Sequence, residues 1–124
     1  MKKVIATTSA PGAIGPYSQA IDTGTFVFAS GQIPLNPATG EIPEGIQAQT
    51  AQSLANVCAI LEAAGLTVDN VVKTTVFLSD MANFAAMNDV YGKVFTEPYP
   101  ARSAVAVREL PKGVLVEIEV LAAR

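Results

Sequence analysis

The sequence predicts a single α+β domain built as a six-stranded mixed sheet with two helices on one face. Its 124 residues fit one core of ordinary size and leave no room for a second, so residues 1–124 form one domain. Strand-like and helix-like segments follow one another in the order βββ-α-β-α-ββ. Two helices, each about 10 Å wide, cover most of one face of a sheet about 25 Å across, and nothing is left for the other face.

Glycine and proline gather at Pro11 to Pro16, Pro34 to Gly45, Pro98 to Pro100 and Pro111 to Gly113, which mark the loops. Between them, short strands are predicted at Lys3 to Ala6, around Ser18 to Asp22 and at Thr25 to Ser30, the last two forming a hairpin across Thr23-Gly24. Ile46, Thr50, Leu54, Val57, Leu61 and Ala64 recur at helical spacing, with Gly65 placed to end the helix. Val71 to Leu78 is rich in β-branched residues and reads as a strand. Asp80 is placed to cap a second helix that runs to about Phe95 with the stripe Phe84, Met87, Tyr91, Val94. Two further strands are predicted, Arg102 to Val107 and Val114 to Ala122, joined through Leu110-Pro111-Lys112-Gly113.

The last strands show what the uncovered face carries. Val116, Ile118 and Val120 alternate against Leu115, Glu117, Glu119 and Leu121, and Val105 and Val107 alternate against Arg102, Ala104 and Ala106. One face is apolar, and the other mixes charge with small apolar groups. Charged residues make up only 15% of the chain against the roughly 25% usual in globular domains. A charge-poor chain with a half-covered sheet is expected to self-associate and bury the mixed face between subunits.

Mean hydropathy is +0.36, yet Asn56, Glu62, Lys73 and Asp80 interrupt every apolar stretch before the roughly 20 residues of a bilayer span, so no membrane partner is expected. Net charge is −3 and the eight basic residues form no run beyond Lys2-Lys3, which argues against a nucleic-acid partner. The chain has no histidine, which excludes a Ser-His-Asp triad, a Cys-His pair and a histidine base, and no metal site is expected. The single cysteine, Cys58, reads as a small core residue. It cannot form an intrachain disulfide, and the apolar stretch after Lys2-Lys3 is too short for a signal peptide, so a reducing, cytoplasmic setting is expected.

Few residues remain to carry chemistry. Arg102, at the start of a strand on the mixed face, reads either as a two-pronged anchor for a carboxylate or as a surface arginine paired with Glu117 or Glu119. Glu117 and Glu119 lie on the same side of one strand about 7 Å apart, as a working carboxylate with its neighbour or as charges that keep an edge soluble. Asn88, at the margin of the second helix's stripe, either directs its amide to a ligand or ties down a loop. Tyr17, after Gly15-Pro16, either faces a pocket or anchors its loop. Ser30-Gly31 ends a strand where the backbone approaches a ligand or simply turns. No phosphate-binding glycine pattern is present.

Four segments taken together, Ile14-Gly15-Pro16-Tyr17-Ser18-Gln19-Ala20, Ser30-Gly31-Gln32-Ile33-Pro34, Val72-Lys73-Thr74-Thr75-Val76-Phe77-Leu78 and Tyr99-Pro100-Ala101-Arg102-Ser103, with the ending Ile118-Glu119-Val120, closely resemble the RidA-type reactive intermediate deaminases of the Rid family. The resemblance spans nearly the whole chain in order. It implies a chorismate-mutase-like fold and a homotrimer whose helix-free sheet faces meet, with sites between subunits. It further implies hydrolysis of 2-imino acids or their enamine tautomers, such as 2-iminobutanoate and 2-iminopropanoate, to 2-keto acids and ammonia without a cofactor. On the family pattern Arg102 holds the substrate carboxylate and Glu117 positions the attacking water, while Tyr17, Ser30, Gly31, Asn88 and Ala104 line the pocket. Many bacterial members carry a cysteine where this chain has Ala104, and several have a longer loop before the Pro-Ala-Arg motif than Pro98-Tyr99. These departures bear on pocket shape. A non-catalytic keto-acid-binding regulator and a chaperone-like interaction protein are the competing readings, and a carboxylate that would repel an anionic ligand favours the enzyme over the regulator.

Overall fold

A glycine in left-handed conformation makes the first hairpin: Gly24, at φ 94°, turns the chain between β2 (Ala20–Asp22) and β3 (Phe26–Gln32), and its N–H donates to Asp22 Oδ1 at 2.8 Å. The computed structural model describes residues 2–124. The remaining strands are β1 (Lys3–Ile5), β4 (Val71–Leu78), β5 (Ala101–Ala106) and β6 (Val116–Ala123), and the helices are α1 (Ile46–Ala63) and α2 (Phe84–Val94). They form one sheet in the order β1-β2-β3-β6-β4-β5, in which β4 and β5 run parallel and every other pair antiparallel. The predicted element order holds, with strand ends shifted by one or two residues.

The last strand sits in the middle of the sheet, between β3 and β4, which explains its strict alternation. Val116, Ile118, Val120 and Ala122 are buried under the helices, and Glu117, Glu119 and Leu121 point to the open face. Thr74, Val76 and Leu78 of β4 and Val27 and Ala29 of β3 join them in the core. Helix α1 closes with paired bonds, from Gly65 N–H to Glu62 O (2.9 Å) and from Leu66 N–H to Leu61 O (2.8 Å), with Gly65 at φ 75° and both leucines buried.

The predicted stripe of α1 is buried from Thr50 onward, but three polar residues share it: Gln49, Ser53 and Asn56. Each is satisfied by the end of β3, by the connection that follows it, or by the residue before β6. Ser53 Oγ donates to Gln32 O (2.6 Å), Asn56 Nδ2 to Ile33 O and Leu35 O (3.0 Å each), and Gln49 Oε1 accepts from Leu115 N–H (2.8 Å). Helix α1 is thus both core and fastener for loops. Cys58, expected in the core, is only half-buried on α1.

Asp80 caps a 3-10 turn, Met81–Asn83, by accepting the Ala82 N–H at 2.8 Å, and α2 follows that turn one step later than the sequence predicts. Met87 and Tyr91 of its stripe are buried. No helix among the described residues is long and apolar enough to cross a membrane.

Strand β5 corrects the expected faces. Parallel pairing sets Arg102 opposite Thr74, Ala104 opposite Val76 and Ala106 opposite Leu78, all helix-facing positions of β4. Arg102 and Ala104 therefore lie on the helix side, and Val105, placed on the apolar face by its chemistry, is 45% exposed on the open one. The physical reason is position: β5 is an edge strand beyond the main helix cover, so its buried side need not be its most apolar side.

Candidate active site

The Glu117 side chain owes its space to a β-bulge. Ala29 pairs with Val120 and Gln32 with Ile118, so Ser30 and Gly31 together face the single residue Glu119 across the ladder. The extra residue leaves Gln32 facing the core and brings the Gly31 backbone against Glu117. A Cβ on Gly31 would collide with Glu117 Oε2 and stand 2.9 Å from its Cδ. Gly31 is needed there for close approach, at an ordinary backbone conformation.

Glu117 lies in a cleft of about 550 Å³ with Tyr17, Ser30, Gly31, Ile14, Ile33 and Lys112. Burial, and then repulsion from Glu119, pushes its carboxyl above the usual glutamate range. Ser30 Oγ donates to Ser18 O at 2.7 Å, which leaves its oxygen free only as an acceptor. Tyr17, whose N–H donates to Gly15 O (2.9 Å), is 52% exposed beside the same cleft. The open face continues from there into a wider concavity of about 650 Å³ lined by Tyr17, Ser30, Lys73, Thr75 and Glu119.

Arg102 is built into a second, separate pocket of about 360 Å³, lined by Asn88, Tyr91, Gly92, Tyr99 and Pro100. Its Nη1 donates to Asn88 Oδ1 at 2.7 Å, and its guanidinium carbon stands 4.8 Å from the Tyr91 ring centre and 5.4 Å from that of Phe84. Asn88 therefore aims its amide at Arg102, and neither glutamate pairs with the arginine. Sequence reasoning missed the platform: Phe84 and Tyr91 were legible only as a hydrophobic stripe, although their spacing also flanks Asn88.

In one chain, Arg102 and Glu117 do not meet. Glu117 pairs with Phe77 and Arg102 with Thr74, which puts them two strands apart, about 10 Å in that direction alone, on opposite faces of the sheet. The expectation that both share the mixed face is corrected by the β5 register. Among the described residues no cluster of three or more histidine, cysteine, aspartate or glutamate side chains could hold a metal ion.

The chain is thus a small α+β protein with a cationic pocket on the edge strand and an acidic cleft at a bulge. The family model described as Endoribonuclease L-PSP matches residues 7–124. The chain is 55% identical over 127 aligned positions to a 2-iminobutanoate/2-iminopropanoate deaminase of Escherichia coli strain K12, covering 100% of this chain and 99% of that one. It matches the crystal structure of E. coli TdcF with bound serine at TM-score 0.95 and 54% identity over 98% of each chain. RidA from the Antarctic bacterium Psychrobacter sp. PAMC 21119 is similar at TM-score 0.95 and 47% identity, covering 98% of this chain and 99% of that one. The chain belongs to the Endoribonuclease L-PSP family, in which these reactive intermediate deaminases of the Rid type lie.

Proposed function

We propose that this chain is a hydrolytic deaminase that converts 2-imino acids such as 2-iminobutanoate and 2-iminopropanoate, or their enamine tautomers, to 2-keto acids and ammonia. Full-length identity of 55% to the E. coli deaminase supports it. The observation that carries it is the pair of half-sites: a guanidinium held by Asn88 and two rings, and a half-buried carboxylate that nothing in its own chain neutralises.

Arg102 uses one of its five N–H groups on Asn88, so its Nη2 and Nε edge can take a substrate carboxylate side-on. Glu117 then orients a water at the imine carbon and accepts its proton. In balance, the protonated imine R–C(=NH2+)–COO− takes up H2O: a C–O bond forms, the C=N π pair returns to nitrogen, and one proton passes through Glu117. Glu117 hands that proton to the amine, the C–N bond breaks to release NH3 as C=O forms, the hydroxyl proton leaves with the ammonia as NH4+, and nothing is oxidised or reduced. Tyr17, Ser30 and Gly31 line the Glu117 side and Asn88 the Arg102 side, while Ala104, two residues beyond Arg102 on the same face of β5, packs against the core.

The two halves join between subunits. Arg102 lies on the edge strand β5, reachable by a neighbouring chain, and the open face carries exposed Phe28, Val72 and Val105 that a neighbour would cover. A homotrimer of chorismate-mutase-like domains, with its open faces inward, brings Arg102 of one protomer to the Glu117 cleft of the next. The family description names a ribonuclease, but a chain with no histidine and a net charge of −3 favours a small carboxylate ligand over RNA.

The test generates 2-iminobutanoate in situ by enzymatic dehydration of threonine and follows 2-oxobutanoate release with and without this protein. Faster release with wild type and not with Arg102→Lys is expected, because a point charge cannot replace the bidentate fork. No acceleration by wild type overturns the reading.

A further inference from the structure

The Arg102 pocket has a buried layer behind it to which neither the sequence pattern nor the proposed chemistry gives a part. Tyr91 Oη lies 2.7 Å from Thr74 Oγ1, and both residues are buried, Thr74 completely. The Tyr91 ring packs against Phe95, with ring centres 4.7 Å apart, and carries the Arg102 guanidinium at 4.8 Å. Thr74 is also the ladder partner of Arg102 in the parallel β4–β5 pair. The hydroxyl pair thus ties the ring under the guanidinium to the strand position beside the Arg102 backbone.

We propose that Tyr91 and Thr74 are positioning residues for the carboxylate clamp: their hydrogen bond fixes the plane of the Tyr91 ring, and that ring, together with Asn88, fixes the plane of the Arg102 guanidinium. The inference rests on the reading of Arg102 as the carboxylate anchor. Its physical basis is that side-on binding needs a guanidinium held in one plane. A single hydrogen bond through Nη1 leaves rotation about that bond free, and the flat ring 4.8 Å away removes it. Phe84, at 5.4 Å, bounds the guanidinium further. The hydroxyls are buried in the core, so the Tyr91 hydroxyl does not touch the substrate.

Tyr91→Phe keeps the ring and leaves the Thr74 hydroxyl buried without its partner, while Thr74→Val strands the Tyr91 hydroxyl. Each single change is expected to raise KM for the imino acid, and Kd for 2-oxobutanoate by calorimetry, by about fivefold, with kcat held within about twofold. The double variant Thr74→Val/Tyr91→Phe leaves no orphaned group but also no hydrogen bond to fix the ring, so it is expected to recover melting temperature while KM and Kd stay raised, and Thr74→Ser, which keeps the hydroxyl, is expected to hold both constants near wild type. A merely structural pair would lower the melting temperature and the active fraction, and with it kcat, without moving KM or Kd. Unchanged KM and Kd in both single variants, or a double variant whose KM and Kd return to wild type, overturns the positioning role. Arg102→Lys, measured alongside, separates the levels: if it leaves KM and Kd unchanged, the clamp itself is wrong and the positioning role falls with it. If it raises them while the Tyr91 and Thr74 variants do not, only the positioning role falls.

Discussion

At the scale of single residues, Gly31 and Glu117 form one unit, because the carboxylate occupies the space that any side chain at position 31 would take. Gly31→Ala is therefore expected to push Glu117 aside and not to break the sheet, since the obstructing atoms belong to the end of a flexible side chain. Thermal melting should stay within a few degrees of wild type while kcat falls by about tenfold or more, and a large loss of melting temperature with normal kcat would contradict it. Glu117→Gln is expected to lower kcat by about a hundredfold and leave 2-oxobutanoate binding intact, since an amide holds water but takes no proton. The raised Glu117 pKa fixes two signs. The active base is lost as pH falls, at a point that burial and Glu119 raise and a neighbour's Arg102 lowers, so the acid limb of kcat should vanish in Glu117→Gln. For stability the folded carboxyl binds its proton more tightly than the unfolded one, so wild type loses stability as pH rises through that window, and Glu117→Gln should melt higher than wild type at pH 7 but not at pH 3.5. The direction of Glu117 was legible, because alternation along a central strand has strong contrast between Val, Ile and Glu. Its bulge was not, because Ser30-Gly31 carries the same letters whether it turns, bulges or continues the strand.

At the scale of elements, α1 and β5 mark where pattern reading works and where it stops. The apolar half of α1 was plain from spacing, but Gln49, Ser53 and Asn56 lie on the same arc, four and three residues apart, and polar side chains on a buried arc signal fastening. Asn56 shows the consequence: it is 1% exposed and its amide serves the carbonyls of Ile33 and Leu35, whose side chains line the Glu117 cleft. Asn56→Ala leaves both carbonyls without that donor and is expected to cost about 1–3 kcal/mol in urea unfolding, with a raised KM as the cleft wall loosens. A loss below about 0.5 kcal/mol would show that water replaces the amide at no cost. Strand β5 was misread in phase because Ala101, Ser103, Ala104 and Ala106 offer almost no hydropathy contrast, leaving Val105 to decide. The deciding information was its parallel register with β4, a long-range pairing that no local pattern contains.

At the scale of the whole molecule, two half-sites on opposite faces of one sheet make a single chain incomplete for the proposed chemistry, and that incompleteness can be tested without a structure of the assembly. If each site takes Arg102 from one protomer and Glu117 from the next, then Arg102→Lys chains and Glu117→Gln chains are each inactive alone but complementary. Mixed at equal amounts by unfolding and refolding together, a trimer would pair an intact arginine with an intact glutamate at about a quarter of its sites, following from the closed ring of heterologous contacts. The mixture is expected to regain about a quarter of wild-type kcat with a wild-type KM, whereas the two proteins folded separately and then combined should regain little until subunits exchange. Light scattering on the same samples should report a mass near three times that of the chain. Recovery depends on geometry alone, since neither variant contains both working side chains. A trimer that shows no recovery would mean that the Arg102 pocket and the Glu117 cleft serve different ligands, and a monomer would leave the open face, with Phe28, Val72 and Val105 exposed, without the cover the proposal gives it.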